Sequence, residues 1–210
     1  MKIAMFGVTG TVGSVLLRRA LADGHEVHAL VRAPDKLGAT GERFLVTKGD
    51  ACDDDDVDAV VSGAGAVLSA LGGVRGPESL SRGTEAIIRA MTTHRVRRLI
   101  VAQGFHLTFA GDAENPGKRA MRQVVKYAIS RGIAEHSVAL PRLVEASGLD
   151  WTVVRFPRVV TGRGSSAYRT GPLRLAPWST VRDVDVADFM LQCLDHATAV
   201  RQAPMIASRN

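Results

Sequence analysis

Three glycines, Gly7, Gly10 and Gly13, stand where a short apolar run, residues 2–7, meets a helical pattern of Val12, Leu16 and Ala20 flanked by Leu17 and Leu21. A strand that turns on glycine and enters a helix at once leaves few folds open, because the helix has to pack straight back onto the strand. Glycine takes the positive φ that such a turn demands, and its bare backbone lets a charged group come close. The helix that starts there aims unpaired N–H groups and the positive end of its dipole at the same point. The turn therefore reads as a seat for the diphosphate of a dinucleotide, with Gly7, Thr9, Gly10, Thr11, Val12 and Gly13 as the binding residues.

The same alternation recurs along the chain. Strands are predicted at 2–7, 26–31, 43–48, 66–69, 98–102 and 151–155, and helices at 11–23, 53–62, 79–94, 117–131, 135–147 and 183–195. Apolar strands alternating with helices predict an α/β fold, a Rossmann-like doubly wound parallel sheet with helices on both faces. The 210 residues are expected to form a single domain. Residues 157–182, rich in Gly, Arg, Ser and Pro, read as a small C-terminal insertion on the substrate side with a short strand or two, and residues 203–207 as a closing strand. Asp23-Gly24 is a plausible end for the first helix.

Composition narrows the setting. Hydrophobic residues make up 46% of the chain, yet no run of eighteen apolar residues occurs, and the N-terminal apolar run is too short for a signal peptide. A cytoplasmic protein with no membrane partner is expected. Cys52 and Cys193 fit no zinc spacing and read as reduced thiols. The acidic run 53–56 reads as a helical first turn, where carboxylates complement the dipole, and no metal is expected. Lysine and arginine number 27 against 21 acidic residues, a net charge of +6. These basic residues read as scattered, and the densest cluster, residues 94–98, lies between a helix and a strand, so a small-molecule substrate is expected rather than nucleic acid. The oligomeric expectation is a monomer or homodimer.

The second strand indicates which dinucleotide. It runs straight into Arg32, twenty-five positions after Gly7, with no carboxylate at that end before Asp35. An acid there would bind the ribose of NAD, whereas a guanidinium matches the 2′-phosphate of NADP. NADP(H) is therefore expected over NAD(H), with Lys36 as a possible assistant.

Several segments together resemble the atypical short-chain dehydrogenase/reductase superfamily. They are Gly7-Val8-Thr9-Gly10-Thr11-Val12-Gly13, Leu30-Val31-Arg32, Val46-Thr47-Lys48-Gly49-Asp50, Ser69-Ala70-Leu71-Gly72, Ser147-Gly148-Leu149-Asp150-Trp151-Thr152-Val153-Val154-Arg155-Phe156-Pro157 and the helix beginning near Arg182-Asp183. The pattern is similar to NAD(P)H-binding proteins of the biliverdin-reductase-B (flavin reductase) and NmrA-like kind. The resemblance implies that Asp50 and Ala51 lie near the adenine and that Leu71 and Gly72 border the cofactor. It also implies that Gln103 and Gly104 edge the nicotinamide, with Pro157, Arg158 and Val159 opposite. Ligands in such sheets sit outside the carboxyl ends of the strands, which agrees.

The catalytic pattern departs from the family. The Thr-Ser-Ala segment of the biliverdin-reductase-B group is replaced by Gln103-Gly104-Phe105, and the histidine after its proline pair by Arg158, so a biliverdin activity does not carry over. Tyr127 and Arg131 stand at the Tyr-x-x-x-Lys spacing with arginine for lysine. His106, just past the fifth strand, and His136 are the histidine candidates for proton transfer. Phe105, Phe156 and Tyr168 are candidates for an apolar wall against which an aromatic substrate stacks. The expected function is NADPH-dependent hydride transfer to a small aromatic or conjugated acceptor such as a flavin or quinone. The alternatives are a non-catalytic NADP(H)-binding sensor and an epimerase or dehydratase that uses Tyr127.

Overall fold

The first strand lies at the centre of the sheet because both its faces are apolar. β1 (Lys2–Phe6) buries Ile3 and Met5 on one face and Ala4 and Phe6 on the other. The structure is a computed structural model and describes residues 1–37, 41–72, 77–110, 112, 116–124, 127, 135–162, 167–195 and 199–209. The parallel strands are β1, β2 (Glu26–Val31), β3 (Phe44–Lys48), β4 (Ala66–Ser69), β5 (Arg98–Gly104) and β6 (Asp150–Phe156). Residues 157–182 add β7 (Arg158–Val160), β8 (Tyr168–Gly171) and β9 (Thr180–Arg182), and β10 (Met205–Ser208) follows.

Eight of these strands form one sheet in the order β3-β2-β1-β4-β5-β6-β10-β8. β10 runs parallel to β6, and β8 runs antiparallel to β10 at the edge. β7 and β9 pair parallel as a separate two-stranded sheet. The chain builds outward from β1 to β3, then crosses back to lay β4 on the other side of β1. The strand order therefore reverses between β1 and β4, the point at whose carboxyl ends ligands bind in sheets of this kind. Register aligns that edge, since Phe6 pairs with Leu30 and with Ser69, and Gly104 pairs with Phe156.

The helices follow the two faces. α1 (Thr11–Ala22) and a C-terminal helix, Asp183–Asp195, pack together on one face through Val15, Leu16, Ala187, Met190 and Leu191. α2 (Asp54–Val61) and α3 (Arg82–Thr93) cover the other through Val57, Val60, Ile87 and Met91. α4 (Pro116–Val124) follows β5, and α5 (Ala139–Ala146) joins the second face through Leu140 and Val144; the C-terminal helix is α6. Each fully buried aliphatic side chain in these layers contributes about 1.5–3 kcal/mol.

The expected strands occur where the sequence places them. The insertion holds three short strands rather than one or two, and β8 joins the main sheet as an edge strand. The helix expected from 79 begins as a 3-10 turn, Pro77–Leu80, before α3. Of the helix expected at 117–131, residues 125, 126 and 128–131 lie outside the described residues.

Candidate functional site

The glycine turn divides its labour among three positions. Gly7 has φ +80°, and a Cβ there would lie 2.4 Å from the carbonyl oxygen of Ala70. Gly13 is equally constrained, since its Cβ would lie 2.1 Å from the Gly7 carbonyl oxygen. These two glycines are demanded by the chain's own packing, strand against strand and helix against turn. Gly10 differs: among the described residues the only neighbour of its Cβ would be the Gly7 oxygen at 3.4 Å, an ordinary contact. Gly10 is the N-cap of α1, no side chain caps that helix, and its first turn holds no acid. The outer side of the turn is thus bare backbone at a positive helix end.

Neighbouring strand ends extend the edge. Arg32 follows β2 directly and is exposed. The Asp50 N–H donates to Asp56 Oδ2 at 2.9 Å, and the Asp50 carboxylate accepts from the Cys52 N–H at 2.9 Å. Asp53 caps α2 by accepting from the Asp55 and Asp56 N–H groups, and Asp54 pairs with Arg89, so the acidic run serves the helix start. Ala51 and Leu71 pack close to Gly83 of α3, whose Cβ would lie 3.3 Å from the Ala51 oxygen and 3.2 Å from Leu71 Cδ1. Leu71 is half-buried and Gly72 exposed. Burial, with Asp50 adding to it, pushes the Cys52 thiol up, so it is no ready nucleophile.

At the end of β5, Gln103 is buried, and the His106 ring folds back over Gly104, with Nδ1 2.5 Å from where a Gly104 Cβ would stand. His106 Nε2 lies 3.4 Å from the hydroxyl of Ser137, which is itself buried. The adjacent His136 pairs through Nδ1 with the Ser81 hydroxyl at 2.7 Å. At the end of β6, Pro157 is buried, Arg158 exposed, and Val159 packs into the α1–α6 layer.

Two expectations, for Phe105 and Tyr168, change at this edge. Phe105 is 1% exposed and packs on Leu175, Met205 and Ala207, so it is a core side chain under the insertion rather than an open wall. Tyr168 stacks edge-on to Phe189 and hydrogen-bonds Gln192 at 3.1 Å, which fixes it on the flank of α6; burial raises its hydroxyl pKa. Tyr127 is 69% exposed, and its expected partner Arg131 lies outside the described residues. Phe156 is half-buried against the α1–α6 layer.

Two groups at the edge escape a reading of motifs. Arg155, inside β6, is 3% exposed, and its guanidinium reaches Asp112, the Leu107 carbonyl at 3.0 Å and the Ala203 carbonyl. It also lies 5.2 Å from the centre of the Phe109 ring. An arginine in the middle of a doubly buried strand is itself the signal for such a pair, because a buried charge has to be matched. Ser137 is the other, and nothing near it in sequence marks it.

Among the described residues there is no group of His, Cys, Asp and Glu suited to holding a metal, and no helix long and apolar enough to cross a membrane.

A sequence model of the NAD(P)H-binding family matches residues 7–197. Among solved structures, the chain is similar to ChuY, an anaerobilin reductase from Escherichia coli O157:H7, at 21% identity and a TM-score of 0.82, covering 100% of this chain and 98% of that one. It is similar to a short-chain dehydrogenase/reductase from Veillonella parvula DSM 2008, solved in complex with NADP, at 16% identity and a TM-score of 0.79, covering 100% and 95%. A protein from Bacteroides thetaiotaomicron described as a candidate epimerase is 26% identical, with a TM-score of 0.78 and coverage of 100% and 97%. The first two likenesses show a shared fold.

Proposed function

Because the chain belongs to the NAD(P)H-binding family, matched over residues 7–197, we propose that it is an NADPH-dependent oxidoreductase that reduces a small conjugated acceptor such as a flavin or quinone. The observation that carries this reading is the division among the glycines. Gly7 and Gly13 are explained by the protein's own packing, whereas Gly10 keeps open a bare helix start at the point of strand-order reversal. A dinucleotide diphosphate fits that cradle, and a Cβ at Gly10 would project toward it.

The residues divide the work as follows. The turn from Gly7 to Gly13, with Thr9, Thr11 and Val12, holds the diphosphate through backbone N–H groups. Arg32 grips the 2′-phosphate through two parallel hydrogen bonds. Asp50 and Ala51 flank the adenine, and Leu71 and Gly72 border the middle of the cofactor. Gln103 and Gly104 frame one side of the reacting centre, with Pro157, Arg158 and Val159 on the other. His106, steadied by Ser137 at 3.4 Å, holds the proton that follows the hydride to the acceptor. The nicotinamide, when bound, supplies that hydride.

Stopped-flow oxidation of NADPH against a panel of flavins and quinones tests the reading. Turnover of at least one acceptor supports it. Tight NADPH binding with no turnover on any acceptor would instead favour the sensor, a reading to which the exposure of Tyr127 and the absence of a serine at 103–105 also lend weight.

A further inference from the structure

The net charge of this chain is concentrated in one place. Residues 157–182 hold Arg158, Arg163, Arg169, Arg174 and Arg182 and no aspartate or glutamate; elsewhere 22 basic residues face 21 acidic ones. The insertion thus carries almost the whole +6, and the scatter read from the sequence hides this asymmetry. Like charges crowded on a short segment repel one another, so the arrangement is favourable when an anion is bound.

The fold presents this charge beside the expected reacting centre. Val159 and Val181 pair across β7 and β9 and face the core, so alternation puts Arg158 and Arg182 on the opposite face of that ribbon. Arg182 Nη1 lies 3.9 Å from where a Gly162 side chain would begin. Arg174 is exposed between Leu173 and Leu175, both of which pack over Phe105 at the carboxyl end of β5. Arg169 is exposed on β8. Asp183 and Asp185 follow the segment and are buried, with the Arg182 charge acting on Asp185, and Asp188 is paired with Arg19 at 3.2 Å.

One large aromatic stands in the same segment. Trp178 is 79% exposed, on a turn closed by the Ala176 N–H to the Ser179 hydroxyl at 3.1 Å and by the Ser179 N–H to the Ala176 carbonyl at 3.0 Å. A turn closed in this way holds an indole in solvent four positions after Arg174, and so offers a flat apolar face on the arginine-rich segment.

Building on the reductase reading, we infer that the acceptor is a planar conjugated molecule carrying a phosphate or carboxylate, with its anionic group held by Arg158, Arg169 and Arg174 and its ring covered by Trp178. A small anion is favoured over a nucleic acid because the ribbon springs directly from Pro157, at the carboxyl end of the strand that borders the hydride donor's place.

Riboflavin and FMN provide the test, since they share a ring and differ by a phosphate. Flavin fluorescence quenching is titrated on the full chain with and without saturating NADP⁺. FMN is expected to bind about tenfold more tightly than riboflavin in low salt, as one charge-assisted pair allows. The gap should narrow in 0.5 M NaCl, where charges are screened beyond about 4 Å. Arg169→Gln with Arg174→Gln should close most of the gap, and Trp178→Ala should weaken both flavins alike. Equal affinity for the two flavins, no FMN binding, or tighter binding of a single-stranded oligonucleotide than of FMN overturns the inference. Loss of NADP⁺ binding, read separately by calorimetry, would sink the reductase reading while leaving the FMN-to-riboflavin ratio measurable.

Discussion

Arg155 and Asp112, 43 positions apart, form a buried ion pair that ties β6 to the segment after β5. Asp112 also accepts from the Phe109 N–H at 2.9 Å, and Arg155 reaches the Leu107 and Ala203 carbonyls. One guanidinium therefore holds both flanks of the strand end from which Pro157 and Arg158 emerge. Asp112→Ala leaves that charge buried and poorly matched, a change that costs about 3–5 kcal/mol. Arg155→Met combined with Asp112→Ala removes both charges and should recover at least half of the loss. Urea denaturation checks this; a double variant no more stable than Asp112→Ala would mean that the pair does not act as a unit.

What the sequence reveals, and what it conceals, follows from the range of the interactions. The glycine turn, α1 and Arg32 at the end of β2 are legible because each depends on residues a few positions apart. Apolar runs such as those of β1 and β5 are legible because a parallel strand is buried on both faces. The place of β8 beyond β10, and the pairing of Ser137 with His106, depend on contacts across dozens of residues and leave no periodicity to read. Phe105 shows the converse error. Its position after β5 matches an open wall, but Leu175 and Met205 arrive from distant segments and cover it.

The three glycines should fail differently on substitution. Gly13→Ala forces a methyl against the Gly7 carbonyl and should cost about 1–3 kcal/mol in unfolding experiments, as overpacking does. Gly10→Val meets only a 3.4 Å contact and should leave the fold close to wild type while abolishing NADPH binding in calorimetry. If Gly10→Val binds NADPH normally, the turn is not part of the pocket.

Arg32→Ala separates the two nicotinamide cofactors. The guanidinium is proposed to contact only the 2′-phosphate, so NADPH affinity should fall by about 10- to 100-fold, equivalent to one or two strong charge-assisted contacts, while NADH changes by less than about twofold. Equal losses for both, measured by isothermal titration, would remove Arg32 from cofactor selection.

Ser137→Ala should act through His106. The Ser137 hydroxyl is buried and lies 3.4 Å from Nε2, on the side from which it can restrain the imidazole that lies over Gly104. Its removal should lower kcat for flavin reduction by about tenfold, within the range that general acid catalysis supplies, and shift the acidic limb of the pH profile. KM for NADPH should stay near wild type. A proportional change in KM with an unaltered pH profile would assign Ser137 to packing alone.

His28 gives the chain a defined acid sensitivity away from the site. It is buried on β2, with Nε2 2.8 Å from the Thr47 hydroxyl and Nδ1 buried without a hydrogen-bond partner among the described residues. Burial, helped by the charge on Lys2, lowers its pKa below 6.5, so the folded ring stays neutral to lower pH than the unfolded one. Well above pH 6.5 neither state takes up a proton and the full stability is present. As the pH falls from 6.5 toward the folded value, the unfolded chain binds a proton that the native ring refuses, and stability drops by up to about 1.4 kcal/mol per pH unit from this group. Urea midpoints measured from pH 7.5 to 5 should therefore fall more steeply for the wild type than for His28→Gln. The amide cannot titrate and still reaches toward Thr47. Parallel curves for the two proteins would place the acid sensitivity elsewhere.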